Sequence, residues 1–184
     1  RLSLVGSEMC IRDRIESERL KATSHCLRVT DKDYSSFLEE FPFNDTKDQE
    51  IVSKDIRQDL ALIKPMNRLL CGDVGFGKTE IAMRAAFISA FSGKQTIILS
   101  PSTVLTEQHY VSFTERYKNF PITIEKLSRN TGLKNKQALY QDFNNKKIDI
   151  LIGTHALFNE NLSFTNVGLI VVDEEHRFGA KQKN

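Results

Sequence analysis

Gly72, Gly77, Lys78 and Thr79 stand in the spacing Gly-x-x-x-x-Gly-Lys-Thr, inside the run Arg-Leu-Leu-Cys-Gly-Asp-Val-Gly-Phe-Gly-Lys-Thr-Glu of residues 68–80. Glycines let successive backbone N–H groups across Gly72, Asp73, Val74, Gly75, Phe76 and Gly77 point at one centre. The start of a following helix adds its dipole, and both favour a bound polyphosphate. Lys78 would then reach the β- and γ-phosphates and the Thr79 hydroxyl would ligate Mg²⁺, with Glu80 closing the run. A second chemical stretch is Gly-Leu-Ile-Val-Val-Asp-Glu-Glu-His at residues 168–176. It delivers Asp173 to the end of an apolar strand, where a carboxylate can hold Mg²⁺ through its water shell. Glu174, one residue on, is placed to polarise an attacking water as general base. The expected catalytic set is therefore Lys78, Asp173 and Glu174, and the expected metal set is Thr79 and Asp173.

Such groups must be carried by strands and helices in a fixed order. Residues 69–71 read as a short buried strand and residues 81–90, rich in Ala, Ile and Met, as a helix covered on most faces. Apolar or alternating runs at 96–99, 122–127, 148–152 and 167–172 predict further strands, with helices over 103–117 and 134–145 between them. Apolar runs without alternation belong to strands covered on both faces. The fold class is therefore α/β, a mostly parallel sheet with helices on both sides. Upstream, residues 15–22 and 33–41 read as short helices, the second capped by Asp31 or Asp33. Apolar positions from Ile51 to Ile63 predict a longer helix opened by Thr46 with Gln49 as its capping-box partner.

The chain has 184 residues and a formal net charge of +2, enough for one well-cored domain and too balanced to name an acidic or basic partner. No apolar run approaches bilayer length and no signal peptide opens the chain, so no membrane association and a cytoplasmic location are expected. Cys10, Cys26 and Cys71 are too scattered for a disulfide framework or zinc site, and Cys71 is expected to be buried. Residues 1–14 have no clear period and resemble a translated adapter junction. They are expected to be non-native, with 15–45 a helical lead-in and 46–184 the nucleotide-binding lobe. Lys-rich stretches at 134–136, 146–147 and 181–183 are expected to be solvated faces.

These stretches, with Lys-Pro-Met-Asn at 64–67, Leu-Ser-Pro-Ser-Thr-Val-Leu-Thr-Glu-Gln-His at 99–109, Gly153-Thr154-His155 and Asp173-Glu174-Glu175-His176-Arg177-Phe178-Gly179, closely resemble the first motor lobe of the bacterial transcription-repair coupling factor (Mfd) family. The related RecG helicases share the architecture, but Phe76, Glu80 and Glu175 match them less well. Lys47, Asn67, Ser102 and Ala180 depart from the usual residues of the family. The resemblance implies a RecA-like P-loop lobe, ATP and Mg²⁺ as cofactors, double-stranded DNA as partner, and hydrolysis that drives translocation. It further implies an RNA polymerase contact through regions absent from this chain and a second motor lobe from the same parent. It assigns adenine recognition to Gln49, with Phe41 or Phe43 against the base. Nucleic-acid contact falls to Thr103, Gln108, His109, Ser128, Arg129, Gly153, Thr154 and His155, and His176 would couple the two sets. A fragment without the second lobe is expected to bind ATP and hydrolyse it poorly. The alternatives are a RecG-type fork-remodelling helicase and a nucleotide-gated DNA-binding module without motor activity.

Overall fold

The computed structural model describes residues 23–73, 75–128 and 131–173. Helix α1 spans Asp31–Glu39, and its cap is Thr30, whose hydroxyl accepts from the Asp33 N–H at 3.1 Å. Neither expected aspartate caps it. Both sit inside the first turn, where a negative charge meets the positive end of the helix dipole. Helix α2, Lys47–Leu60, opens with the expected capping box between Thr46 and Gln49. It stops at Leu60, and Arg68 fastens the segment beyond it by hydrogen bonds to the Asp59 carboxylate at 3.0 and 2.6 Å.

Helix α3, Lys78–Phe91, buries Ile81, Met83, Ala85, Ala86, Phe87 and Ile88, so it is covered on most faces as its composition required. A turn at Gly93, whose φ is +71°, leads straight into strand β1, Gln95–Leu99, every residue of which is buried. Helix α4 (Thr103–Arg116), strand β2 (Ile124–Leu127), helix α5 (Leu133–Asn144), strand β3 (Ile150–Gly153), a 3-10 turn (His155–Leu157) and strand β4 (Val167–Val172) complete the described chain. The four strands are parallel in the order β2-β3-β1-β4.

Alternate residues of the central strands feed two apolar clusters. Ile98, Ile150 and Ile152 join Phe37, Phe87, Phe113 and Tyr117 on the face carrying α1 to α4. Ile97, Leu99 and Leu151 join Leu139, Phe143 and Leu157 on the face carrying α5. That is the α/β sheet covered on both sides that the apolar runs implied.

Two expectations fail at one edge. Residues 69–71 form no strand: Leu69 is 78% exposed and Cys71 is exposed, while Leu70 alone packs against the core. Three apolar residues become a strand only beside a ladder partner, and among the described residues the outer edge of β4 has none. Strand β4 is likewise only partly covered: Leu169 is buried and Val167 packs against the second cluster, but Ile170 is 59% exposed. No described helix is long and apolar enough to cross a membrane.

Candidate functional site

The glycine turn of residues 72–77 depends on backbone geometry that side chains disfavour. Gly75 and Gly77 have φ of +85° and +74°, in the left-handed region. At Gly77 a Cβ would also lie 2.5 Å from the Gln49 Nε2, so a side chain there would displace the Gln49 amide. It is the N-cap of α3 and supplies no side-chain acceptor, so the first N–H groups of that helix carry no side-chain cap. Lys78 donates from Nζ to the carbonyls of Gly72 at 2.5 Å and Asp73 at 2.7 Å, which puts its charge across the mouth of the turn. Thr79 is exposed.

Gln49 is tied to this turn in a way its sequence position did not reveal. Its Oε1 accepts from the Thr46 N–H at 2.9 Å, and its Nε2 donates to the Phe76 carbonyl at 3.0 Å. One amide thus caps α2 and bridges α2 to the glycine turn. Phe41 and Phe43 pack edge to face at 5.5 Å just upstream, with Phe43 71% exposed. Its open ring offers a face to a planar group.

Glu80 does not face the turn. Its side chain is 8% exposed and accepts from Arg84 Nε at 3.0 Å, from Arg116 Nε at 3.1 Å and from Arg116 Nη2 at 3.0 Å. Arg84 in turn grips Asp45 through both terminal nitrogens at 2.6 and 2.8 Å and reaches Ser53 at 3.2 Å. Burial pulls the Arg84 pKa down, but the bonds to Asp45 and Glu80 outweigh it and leave the pKa raised. The carboxylate expected among the cofactor contacts is instead part of a buried lattice joining α1, α2, α3 and α4. Periodicity hid this, because an acidic residue in the first turn of a helix reads as a solvated one.

The position of Asp173 relative to the glycine turn follows from chain direction. Helix α3 ends at the turn feeding the start of β1, and its 14 residues span about 21 Å. Its first turn therefore lies at the carboxyl end of the sheet, which is where β4 ends. Asp173 follows β4 there, its N–H donating to the Leu99 carbonyl at 2.9 Å, and α3 packs on both β1 and β4. The turn and the acidic tip thus share one end of the sheet.

The residues expected to contact nucleic acid divide. Thr103, Gln108 and Ser128 line one cavity of about 590 Å³ with Glu107, Lys126 and Thr131. Lys126 donates to both carboxylate oxygens of Glu107 at 2.5 Å, an ion pair the sequence reading did not single out. The signal was there, since Lys126 lies two residues before Ser128 on the same strand end. Gly153 and Thr154 turn inward. A Cβ on Gly153 would lie 2.6 Å from the Leu127 carbonyl, and Thr154 is 2% exposed and caps the 3-10 turn through Ala156 N–H at 3.4 Å. Their side chains serve packing, so only their backbone could meet a ligand. His155 is partly buried. His109 is also turned inward, with its Nε2 2.8 Å from Asp173 Oδ2. Val74, Arg129, Glu174 and His176 lie outside the described residues.

Residues 46–184 match the DEAD/DEAH box helicase family. The chain is 50% identical over 147 residues to a transcription-repair-coupling factor of Borreliella burgdorferi, covering 80% of this chain and 13% of that protein. It is 41% identical over 169 residues to the Escherichia coli K12 transcription-repair-coupling factor, covering 92% of this chain and 15% of the relative. The structure of RecG bound to a three-way DNA junction superposes with a TM-score of 0.84 at 37% identity, covering 90% of this chain and 23% of that one. The chain thus spans about one seventh of the length of these coupling factors. With a glycine turn at the head of α3 and an acidic tip on β4 at the same sheet end, and with the family match running through both, this chain belongs to the DEAD/DEAH box helicases.

Proposed function

We propose that this chain is the ATP-binding and DNA-backbone-binding lobe of a double-stranded DNA translocase of the transcription-repair coupling kind. The observation that carries the reading is the convergence at one end of the sheet. The glycine turn, Asp173 and the cavity holding Thr103, Gln108 and Ser128 all follow strand ends or open helices there. Identity to the coupling factors, 41% and 50%, exceeds the 37% to RecG and favours the first over a fork-remodelling helicase.

The residues present fit a nucleotide with Mg²⁺. The turn supplies N–H groups at positive φ, Lys78 supplies a charge at its mouth, and the oxygen donors Thr79 and Asp173 suit a hard cation that keeps water and takes phosphate oxygens. When bound, Mg²⁺ would neutralise charge on the β- and γ-phosphates. Lys78 would exchange its two carbonyl partners for phosphate oxygens, and Gln49 would present its amide to adenine by releasing Phe76. Glu174 would hold and orient a water as general base. Thr103, Gln108 and Ser128, with Arg129, His155 and the backbone of Gly153 and Thr154, would hold a sugar-phosphate backbone without reading bases. Translocation requires a second motor lobe and the polymerase contact requires other regions of the parent, which acts in the cytoplasm on double-stranded DNA.

Titration of a fluorescent ATP analogue with Mg²⁺ tests the reading. The chain should bind it, and Lys78→Ala should weaken binding by at least about tenfold, the value of one hydrogen bond to a charged group. A wild-type chain that does not bind, or a Lys78→Ala variant that binds equally well, refutes it.

A further inference from the structure

We infer that His109 is a positioning residue for Asp173: its imidazole orients the carboxylate of the acidic tip and ties it to α4, the helix that presents Gln108 to the nucleic-acid cavity. This deepens the proposed nucleotide site and rests on it. The bond spans 64 residues of sequence, with Nε2 and Oδ2 2.8 Å apart. An ionised carboxylate has no proton to give, so the imidazole donates through Nε2. The side chain of His109 is only 13% exposed, against 36% for Asp173, so the bond is sheltered on the histidine side. The Phe113 ring stands edge-on to the imidazole at 6.5 Å and limits its rotation.

The backbone of Asp173 is held as well, through its N–H to the Leu99 carbonyl at 2.9 Å. With main chain and one carboxylate oxygen both fixed, Oδ1 has few orientations left. A carboxylate that acts on a cation through water needs that constraint, because water-mediated contacts do not themselves enforce geometry. Neighbouring residues on a helix project about 100° apart, which follows from 3.6 residues per turn. Gln108 is exposed in the cavity while His109 faces the strand tip, so α4 touches both sites with consecutive side chains. Displacing α4 on nucleic acid would move the partner of Asp173.

The test uses the 184-residue chain with His109→Phe, which keeps a ring beside Phe113 and has no donor, and His109→Gln, which restores an N–H at similar reach. Without any ligand, ¹⁵N-histidine NMR should show an exchange-protected Nε2–H for His109 that disappears in Asp173→Ala. With the fluorescent ATP analogue, the Mg²⁺ concentration at half-binding should rise about fivefold in His109→Phe. That is below the 10–100-fold typical of partners of direct metal ligands, because Asp173 acts through water. His109→Gln should bring it back to within about twofold of wild type, which a purely structural role would not do. His109→Asn, a polar replacement that is too short, should behave like His109→Phe and covers the case in which the latter fails to fold. Equal Mg²⁺ requirements in wild type, His109→Phe and His109→Asn, or an Nε2–H insensitive to Asp173→Ala, overturn the role of His109. A wild-type chain that binds no Mg-nucleotide overturns the site reading itself and this role with it.

Discussion

Replacing Glu80 by Gln changes one atom in a lattice of four charged side chains, and the cost can be worked from the contacts. Arg84 and Arg116 carry two positive charges; Asp45 and Glu80 carry two negative ones, so the lattice is neutral. Glu80 accepts three guanidinium N–H bonds, two at Oε1 and one at Oε2. An amide keeps the acceptor at one oxygen and presents an NH₂ to the third donor, so Arg116 Nε–H would face another donor at 3.1 Å. Arg116 has little to fall back on. Among the described residues its Nη1 is buried without a hydrogen-bond partner, and beyond Glu80 it meets the Phe37 carbonyl at 2.7 Å, the Phe37 ring face at 3.8 Å and, more distantly, the Phe41 ring at 5.7 Å. Breaking a buried pair on one side typically costs about 3–5 kcal/mol, because the remaining charge stays desolvated. For a domain of this size that corresponds to a fall in melting temperature of roughly 6–20 °C. Urea unfolding of the two proteins measures it directly. The double variant Glu80→Leu with Arg116→Met removes both halves and leaves the Arg84–Asp45 pair neutral, so it should recover most of the loss. A Glu80→Gln variant destabilised by less than about 1 kcal/mol would show that the lattice is not energetically coupled.

The capping amide can be tested alongside. Gln49→Ala removes both the capping-box acceptor and the bridge to Phe76, so it should cost about 1 kcal/mol in urea unfolding and reduce the preference for adenine over guanine nucleotides; unchanged selectivity removes the adenine role. Asp149 gives a pH signature. Burial raises its pKa above the usual 3.8, only partly offset by the Thr123 N–H bond at 2.8 Å. A carboxyl raised in the folded state makes folding bind protons, so its contribution is best in acid and is lost as pH rises through the folded pKa. Asp149→Asn keeps an acceptor for Thr123 without the charge, so its melting temperature relative to wild type should climb from acid toward neutral pH. A difference that does not vary with pH refutes the assignment.

How much of this was legible depended on how local the deciding interaction is. The capping box at Thr46 and Gln49 and the buried strand at Ile97–Leu99 could be read because a helix start is fixed within four residues and an apolar run reports its own burial. The cap of α1 went to Thr30 rather than to an aspartate because hydroxyl and carboxylate caps are nearly interchangeable in sequence and only backbone direction separates them. Residues 69–71 failed for a different reason: a strand is a property of a pair, and no sequence window contains the partner. The site shows the same division. Lys78 is held by carbonyls five and six residues away, whereas the inward turns of Glu80 and His109 are set by Arg116 and Asp173, 36 and 64 residues distant.

Strand β1 explains why the separate loops can act together. Beyond its last residue, the Ser100 N–H donates to the Gly153 carbonyl at 2.8 Å, and the Leu99 carbonyl accepts from the Asp173 N–H at 2.9 Å. The loop that opens α4, the loop after β3 and the acidic tip therefore hang on consecutive residues of one central, fully buried strand. Buried ladder bonds leave such a post little freedom, so relative motion of these loops has to come from the side chains and helices attached to it. Among those, α4 has a polar hold on the acidic tip through His109 at its middle and on the buried lattice through Arg116 at its last turn. A helix held at two points over a rigid strand end can rock but not slide. Rocking would change the geometry at Gln108 and at Asp173 in the same movement, which is the mechanical property a lobe needs if nucleotide and nucleic acid are to influence one another.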